Sequence, residues 1–272
     1  MNPRWRSALT GSEVYEGDAR IVAQTLPDGS VTCSILDGPY AAGKGAWDRI
    51  PRGGSLGDPY TGHLDDVGRL SAPSASLYLW NTSAGWAELH PLVLARGWAF
   101  AGLIVWHKTG GGPSFISAQK SSKWPEVTEV CGHYHRGLAY HENPSGFGNV
   151  WPLSPIADLG PERLTSGQTS RRTFGFGSGM AVEPLHPCQK PLAFAERMIR
   201  ASTRPGDTVW VPFGGTLREM VAAERMARGK PGEARRVISC ELNLDGVDYI
   251  GPAVAQAQGL PTQTTGQADL FG

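Results

Sequence analysis

Little in this sequence points to a disulfide scaffold, a membrane or a uniformly charged surface. Its four cysteines, Cys33, Cys131, Cys188 and Cys240, are widely scattered and form no CxxC pair. That excludes a disulfide framework and a structural zinc site of familiar spacing, and a reducing cytoplasm is the expected setting. Neither sign of charge is in excess, since 25 Lys and Arg balance 25 Asp and Glu and the pI is near 7.1. A generally basic nucleic-acid coat is thereby excluded, while a local basic face remains open. No apolar run approaches the roughly 18 residues of a membrane helix, and the stretch Met1 to Arg6 has no signal-peptide core. A soluble, unexported protein is expected.

What the chain has in quantity is turn-forming residues. Its 36 glycines and 21 prolines make up about a fifth of 272 residues, against roughly 12% in average usage, so long loops are expected to carry the function. The 40% apolar content is that of a globular chain, and the length suits one large α/β domain or two small ones.

Short apolar runs, several followed by a helical pattern, give the organisation. Ser30–Leu36, Ser76–Trp80 and Ala99–Trp106 read as buried strands, and Ala84–Arg96 as a helix closed by Gly97. Residues 109–185 lose this regularity, except for a periodic stretch near Glu126–Tyr134, and read as an inserted, loop-rich region. Pro191 then opens a helix with Leu192, Ala195, Met198 and Ile199 along one face. Asp207–Val211, Thr216–Arg228 and Val237–Leu242 follow as a strand, helix and strand, a βαβ unit whose first turn is a usual place for a nucleotide-like ligand. Residues 251–272 read as a polar tail with little core.

Chemistry concentrates at strand ends. Asp37-Gly38-Pro39-Tyr40 directly follows the first buried strand, where ligands of open α/β sheets sit. A carboxylate and a carbonyl in a tight turn can accept both hydrogens of a planar amino group while an aromatic ring stacks on the attached base. The plainer reading is a strand-ending turn, because Asp, Gly and Pro are turn residues. Two more segments bear on the choice: His186-Pro187-Cys188-Gln189-Lys190-Pro191 ahead of a helix, and Val211-Pro212-Phe213-Gly214-Gly215 at the βαβ turn.

In this order the segments resemble the amino-group DNA methyltransferases of the β class. That family has a (D/N/S)PP(Y/F/W) motif early, then HPxQKP, a DPFxGSGT turn and an acidic strand end. Val14–Ala19, Ile104-Val105-Trp106-His107-Lys108, and Ser239-Cys240-Glu241-Leu242 with Tyr249-Ile250 extend the match over most of residues 13–250. The resemblance implies a Rossmann-like α/β fold, with a mostly parallel twisted sheet, helices on both faces and a circularly permuted motif order. Within a single domain of residues 1–250, residues 13–108 would be the catalytic half, 109–185 the target-recognition insertion and 186–250 the cofactor half. It also implies S-adenosylmethionine as cofactor and double-stranded DNA as substrate, with the target base flipped out of the helix. Asp37, Gly38, Pro39 and Tyr40 would hold that base. Glu241 would take the ribose hydroxyls, Asp18 with Ala19 the adenine end, and Pro212, Phe213, Gly214 and Gly215 the turn beneath the cofactor. His186, Gln189 and Lys190 would lie near its carboxylate.

Asp at the first motif position goes mostly with adenine N6 in the resembling family, so adenine is the leading target and cytosine N4 the alternative. Three positions depart from the family pattern: Gly38 replaces a proline, Val211 an acid and Leu217 a glycine. They motivate a further reading, a catalytically weakened DNA-binding partner with the same fold; an RNA or small-molecule methyltransferase is another, because a fold does not fix its function. Lys120, Lys123, Trp124, Arg136, Trp151, Arg171 and Arg172 are the candidate DNA contacts, each otherwise a surface charge or a packing aromatic. Asp58-Pro59-Tyr60 reads as a turn, Gly175–Gly179 as a flexible loop and the alternation over Cys131–His135 as an exposed strand edge; Cys131, His133, His135 and His141 fit no zinc pattern, so no metal is expected. No cleavage motif is present, so a paired restriction enzyme would be a separate protein; a homodimer is left open.

Overall fold

The computed structural model describes residues 1–41, 48, 55, 57–109, 124, 126–143, 146–154, 188–242, 246 and 248–259. Nine strands form one sheet in the order β1-β2-β9-β8-β3-β4-β6-β5-β7. They are β1 Trp5–Arg6, β2 Glu13–Glu16, β3 Val31–Leu36, β4 Ser71–Asn81, β5 Ala99–Lys108, β6 Thr128–Arg136, β7 Val150–Leu153, β8 Thr208–Val211 and β9 Arg236–Glu241. The helices are α1 Ala19–Ala23, α2 Gly57–Leu70, α3 Ser83–Leu94, α4 Leu192–Ser202, α5 Arg218–Ala227 and α6 Ile250–Gln258. From β2 through β9, β8 and β3 to β4 every pairing is parallel; β6 runs antiparallel to both β4 and β5. The fold is therefore α/β with a mostly parallel sheet.

Both faces of the sheet are covered, which is why its inner strands read as continuous apolar runs. On one face Ile35, Tyr78, Trp80, Val209 and Val211 pack with Phe194, Met198, Met220 and Val221 from α4 and α5. On the other, Leu36, Leu77, Leu79, Trp210 and Ile238 meet Val22, Leu64, Val67 and Leu89 from α1, α2 and α3. The alternation Leu77, Tyr78, Leu79, Trp80 along β4 feeds the two cores in turn. β3 is hydrogen-bonded to β4 on one side and to β8, from the far end of the chain, on the other.

Three elements differ from their sequence reading. Cys131–His135 has the look of an exposed edge, yet β6 lies between β4 and β5 with Cys131 and Tyr134 fully buried. Its alternating pattern reflects unequal packing on two covered faces. Residues 250–258, at the start of the expected polar tail, form α6, because Ala253 and Ala257, one turn apart, dock on α5. Asp58-Pro59-Tyr60 opens α2 rather than a loop turn, with Tyr60 completely buried. The described residues contain no helix long and apolar enough to cross a membrane.

Candidate active site

The carboxyl ends of β2, β9, β8 and β3 lie side by side and carry Asp18, Glu241, the Pro212–Gly215 turn and Asp37 respectively. In open α/β sheets this edge is the ligand crevice. The parallel strands dictate the convergence, since each delivers its carboxyl end to the same side.

At β3 the turn is tightly boxed. A Cβ added to Gly38 would stand 2.7 Å from Tyr60 Oη and 2.9 Å from Phe213 Cε2, so glycine is dictated where the resembling family has proline. The Tyr60 hydroxyl donates to the Pro39 carbonyl at 3.3 Å, and the Tyr40 amide donates to Asp48 Oδ1 at 2.7 Å. These bonds hold the turn that a second proline would otherwise stiffen.

Asp37 belongs to a four-charge cluster. Lys190 Nζ donates to both Asp37 oxygens, at 2.8 and 2.9 Å, and lies 3.1 Å from Glu129 Oε2. Glu129 also receives Lys108. The Tyr40 hydroxyl donates to Asp37 Oδ1 at 2.7 Å and lies 3.2 Å from Glu129 Oε2; its single hydrogen serves one of them at a time. The ammonium of Lys190 sits 5.0 Å from the Tyr40 ring centre and 5.7 Å from that of Trp80, an arrangement that favours a cation. Burial disfavours the Lys190 charge, but Asp37 and Glu129 outweigh it and hold the pKa above the usual lysine value. Burial likewise pushes Glu129 up, and the two lysines override it to a net lowering. Burial, then Asp37 and Glu129, raise Tyr40 well above an ordinary phenol, so its hydroxyl stays protonated.

The adjoining cleft has a volume of about 160 Å³ and is lined by Tyr15, Glu16, Leu217, Glu241, Tyr249 and Ile250, among others. Gly215, at φ +48°, donates its amide to Glu241 Oε2 at 2.6 Å. Gly214 admits no side chain, since a Cβ would lie 2.6 Å from Ser239 Oγ and 2.9 Å from the Cys240 carbonyl. Phe213 meets His63 edge-on at 4.6 Å. Asp18 caps α1 through Arg20 N at 2.9 Å, and Ala19 is buried behind it. Leu217 is a non-glycine residue in the left-handed region, φ 58° and ψ 38°, and its side chain is 0% exposed. Val211 faces the apolar core, where an acid would be buried without a partner.

Several residues lie elsewhere than the sequence alone suggests. Lys190 is bound to Asp37 at the turn after β3, and Gln189 is buried. Trp151 is 7% exposed and packs on Trp80 and Phe194, with its indole N–H on the Gly148 carbonyl. The Arg136 guanidinium donates to the Gly68 and Arg96 carbonyls and lies over Trp98, joining α2 to the end of α3. Trp124, by contrast, is 94% exposed. His186, Lys120, Lys123, Arg171, Arg172 and Gly175–Gly179 lie outside the described residues. Among the described residues no group of three His, Cys, Asp or Glu could hold a metal ion. Sequence reasoning missed Glu129, Tyr60 and Asp48; Glu129 stands in a visibly periodic stretch, but nothing local ties it to Lys190.

Comparison with known proteins gives the family and the fold. The N6/N4 DNA methylase family matches residues 31–251, most of the chain, and the chain belongs to that family: it is a DNA methylase of the adenine-N6 or cytosine-N4 type. Among curated relatives, the type II methyltransferase M1.MboII of Moraxella bovis is 25% identical over 249 residues, covering 80% of this chain and 87% of that protein. Among solved structures, the cytosine-N4-specific PvuII DNA methyltransferase superposes with a TM-score of 0.67 at 17% identity, covering 94% of this chain and 88% of its own. The complex of M1.HpyAVI with S-adenosylmethionine gives 0.59 at 18% identity, over 91% and 98%. Both superpositions report on the fold.

Proposed function

We propose that the chain transfers a methyl group from S-adenosylmethionine to N6 of an adenine flipped out of double-stranded DNA. The observation that carries this is the Asp37 carboxylate at the end of β3, salt-bridged to buried Lys190 and touching Tyr40. Paired with an ammonium, the carboxylate is an acceptor. With a turn carbonyl it can take both hydrogens of an exocyclic amine and aim the nitrogen's lone pair, while the Tyr40 ring replaces stacking lost on flipping.

Residues around the cleft suit the cofactor. Glu241 is the acid at a strand end that ribose hydroxyls require, and the Gly214–Gly215 turn admits a close backbone approach. When bound, the cofactor supplies an electrophilic methyl group, so the protein's task is positioning. Tyr60 and Phe213 wall the turn so that the amine cannot drift. Lys120, Lys123, Trp124, Arg171 and Arg172 are left to meet DNA phosphates and bases, because Arg136 and Trp151 are engaged within the fold. M1.MboII, by its name a type II methyltransferase, lends support.

The test is transfer of a labelled methyl group to unmodified genomic DNA, read by nucleoside mass spectrometry. N6-methyladenine is expected; N4-methylcytosine would replace the adenine assignment, and unlabelled DNA with bound cofactor would point to another substrate. Asp37→Ala is expected to abolish transfer while leaving the cofactor dissociation constant within about threefold of wild type, since Asp37 is spent on the amine.

A further inference from the structure

Methyl transfer to an amine held by Asp37 requires no second carboxylate, yet Glu129 stands beside Asp37. It lies at the start of β6, opposite Trp106 of β5, and its side chain is 13% exposed. Lys108, at the end of β5, pairs with its Oε1 and anchors it there. Its other oxygen meets the same two donors that Asp37 uses. Lys190 Nζ is 2.8 and 2.9 Å from the Asp37 oxygens and 3.1 Å from Glu129 Oε2. The Tyr40 hydroxyl is 2.7 Å from Asp37 Oδ1 and 3.2 Å from that same Glu129 Oε2. A carboxylate offers about four lone-pair sites. Lys190 and Tyr40 together fill Asp37 Oδ1, and Lys190 also occupies Oδ2. Each donor draws off part of the charge, so a carboxylate engaged in this way is a weakened acceptor for a further N–H. Because the second acceptor is already in reach, relief needs no backbone movement. A turn of the Tyr40 hydroxyl about its C–O bond carries the hydrogen from one carboxylate to the other while the ring stays in place.

Resting on the reading that Asp37 takes the target amine, we propose that Glu129 is a positioning residue that receives the Tyr40 hydroxyl, and a larger share of the Lys190 ammonium, as the amine arrives. Each donor keeps its own proton and only its acceptor changes. Asp37 Oδ1 is thereby cleared for an amine N–H. The carboxylate also regains the charge that steadies the amine as it turns positive during transfer. Glu129 itself touches no substrate atom and acts through Asp37. The simpler role, neutralising Lys108 and Lys190, would need its charge but not its place beside Tyr40.

Steady-state DNA methylation by the full chain tests the exchange in wild type, Glu129→Gln, Tyr40→Phe and the double variant. Losing a hydrogen-bond partner of charged groups costs about 10- to 100-fold, so Glu129→Gln should lower kcat about 30-fold while the KM values for DNA and cofactor stay within about twofold. In the Tyr40→Phe background the hydroxyl no longer occupies Oδ1, and the same substitution should cost only about threefold more. Glu129→Asp keeps the charge but draws the carboxylate back by one methylene; it should fall as far as the Gln variant, and it carries the comparison if the Gln variant does not fold. An equal penalty in both backgrounds, or full activity of Glu129→Asp, would overturn the exchange and leave Glu129 a neutralising charge. A wild type that methylates no DNA would instead overturn the reading of Asp37 on which the exchange rests.

Discussion

Replacing Leu217 sets two effects of known size against each other. Its backbone lies in the left-handed region, which costs a non-glycine residue roughly 1–2 kcal/mol. Its side chain is fully buried, in the same apolar cluster as Met220 and Val221, and truncating such a leucine to alanine costs about 2–5 kcal/mol. Leu217→Ala loses the packing and keeps the backbone strain. Leu217→Gly loses the packing but relieves the strain. The expected order of stability is therefore leucine, then glycine, then alanine, with glycine about 1 kcal/mol above alanine. For a chain of this size each kcal/mol moves the melting temperature by roughly 2–4 °C. Thermal unfolding by circular dichroism should place the glycine variant roughly 2–16 °C below wild type, and the alanine variant about 2–4 °C lower still. An alanine variant as stable as the glycine one would refute the strain argument. A glycine variant above wild type would show that strain, not packing, governs this turn.

Two other outcomes follow from the geometry. Gly38→Ala drives a Cβ to within 2.9 Å of Tyr60 Oη and Phe213; because displacements near 1 Å can cost a hundredfold in rate, steady-state kinetics should show kcat down about 100-fold, and unchanged turnover would mean the turn is not boxed. His133 lies stacked on Tyr78 at 4.5 Å, and burial, then His141 and His135, lower its pKa to about 4. In the unfolded chain it protonates near 6.5, so folded stability is lost as pH falls from about 6.5 toward 4, by roughly 2 kcal/mol after allowing for partial exposure. Glu129 and Glu13 are lowered too and lose stability in acid; the measurement is therefore the difference in stability between wild type and His133→Phe across pH, which should stay constant above about 6.5 and shift against the wild type by roughly 2 kcal/mol as pH falls to 4. Parallel curves would exclude His133.

The parallel strands were legible because burial on both faces writes them as uninterrupted apolar runs: β3 was read as Ser30–Leu36 and observed as Val31–Leu36. The same holds for the residues that follow those runs, Asp37, Glu241 and the Pro212–Gly215 turn, since a strand end fixes where the next side chains emerge. Contacts made across the chain were not legible. Glu129 meets Lys190 only because β6 inserts between β4 and β5. The direction of Lys190 depends on that distant carboxylate, and Trp151 is hidden by Trp80 and Phe194 from two other elements. Gly38 could be seen as a departure from proline; that Tyr60 fills its space could not, because the helix bearing Tyr60 begins in a stretch that reads as a loop.

The placement of β3 beside β8 has a consequence for how the chain is made. Until the ribosome has delivered β8, the strand that ends in Asp37 has β4 along one border and nothing along the other, and β2 likewise waits for β9. An open parallel border is a template for the wrong partner. The segment that closes both borders, β8 and β9, lies far downstream of β3, so the Asp37–Tyr40 turn acquires its shape only after that segment has been made. A nascent chain stalled before β8 would carry every residue of the Asp37–Tyr40 turn and still present a sticky, unfinished sheet.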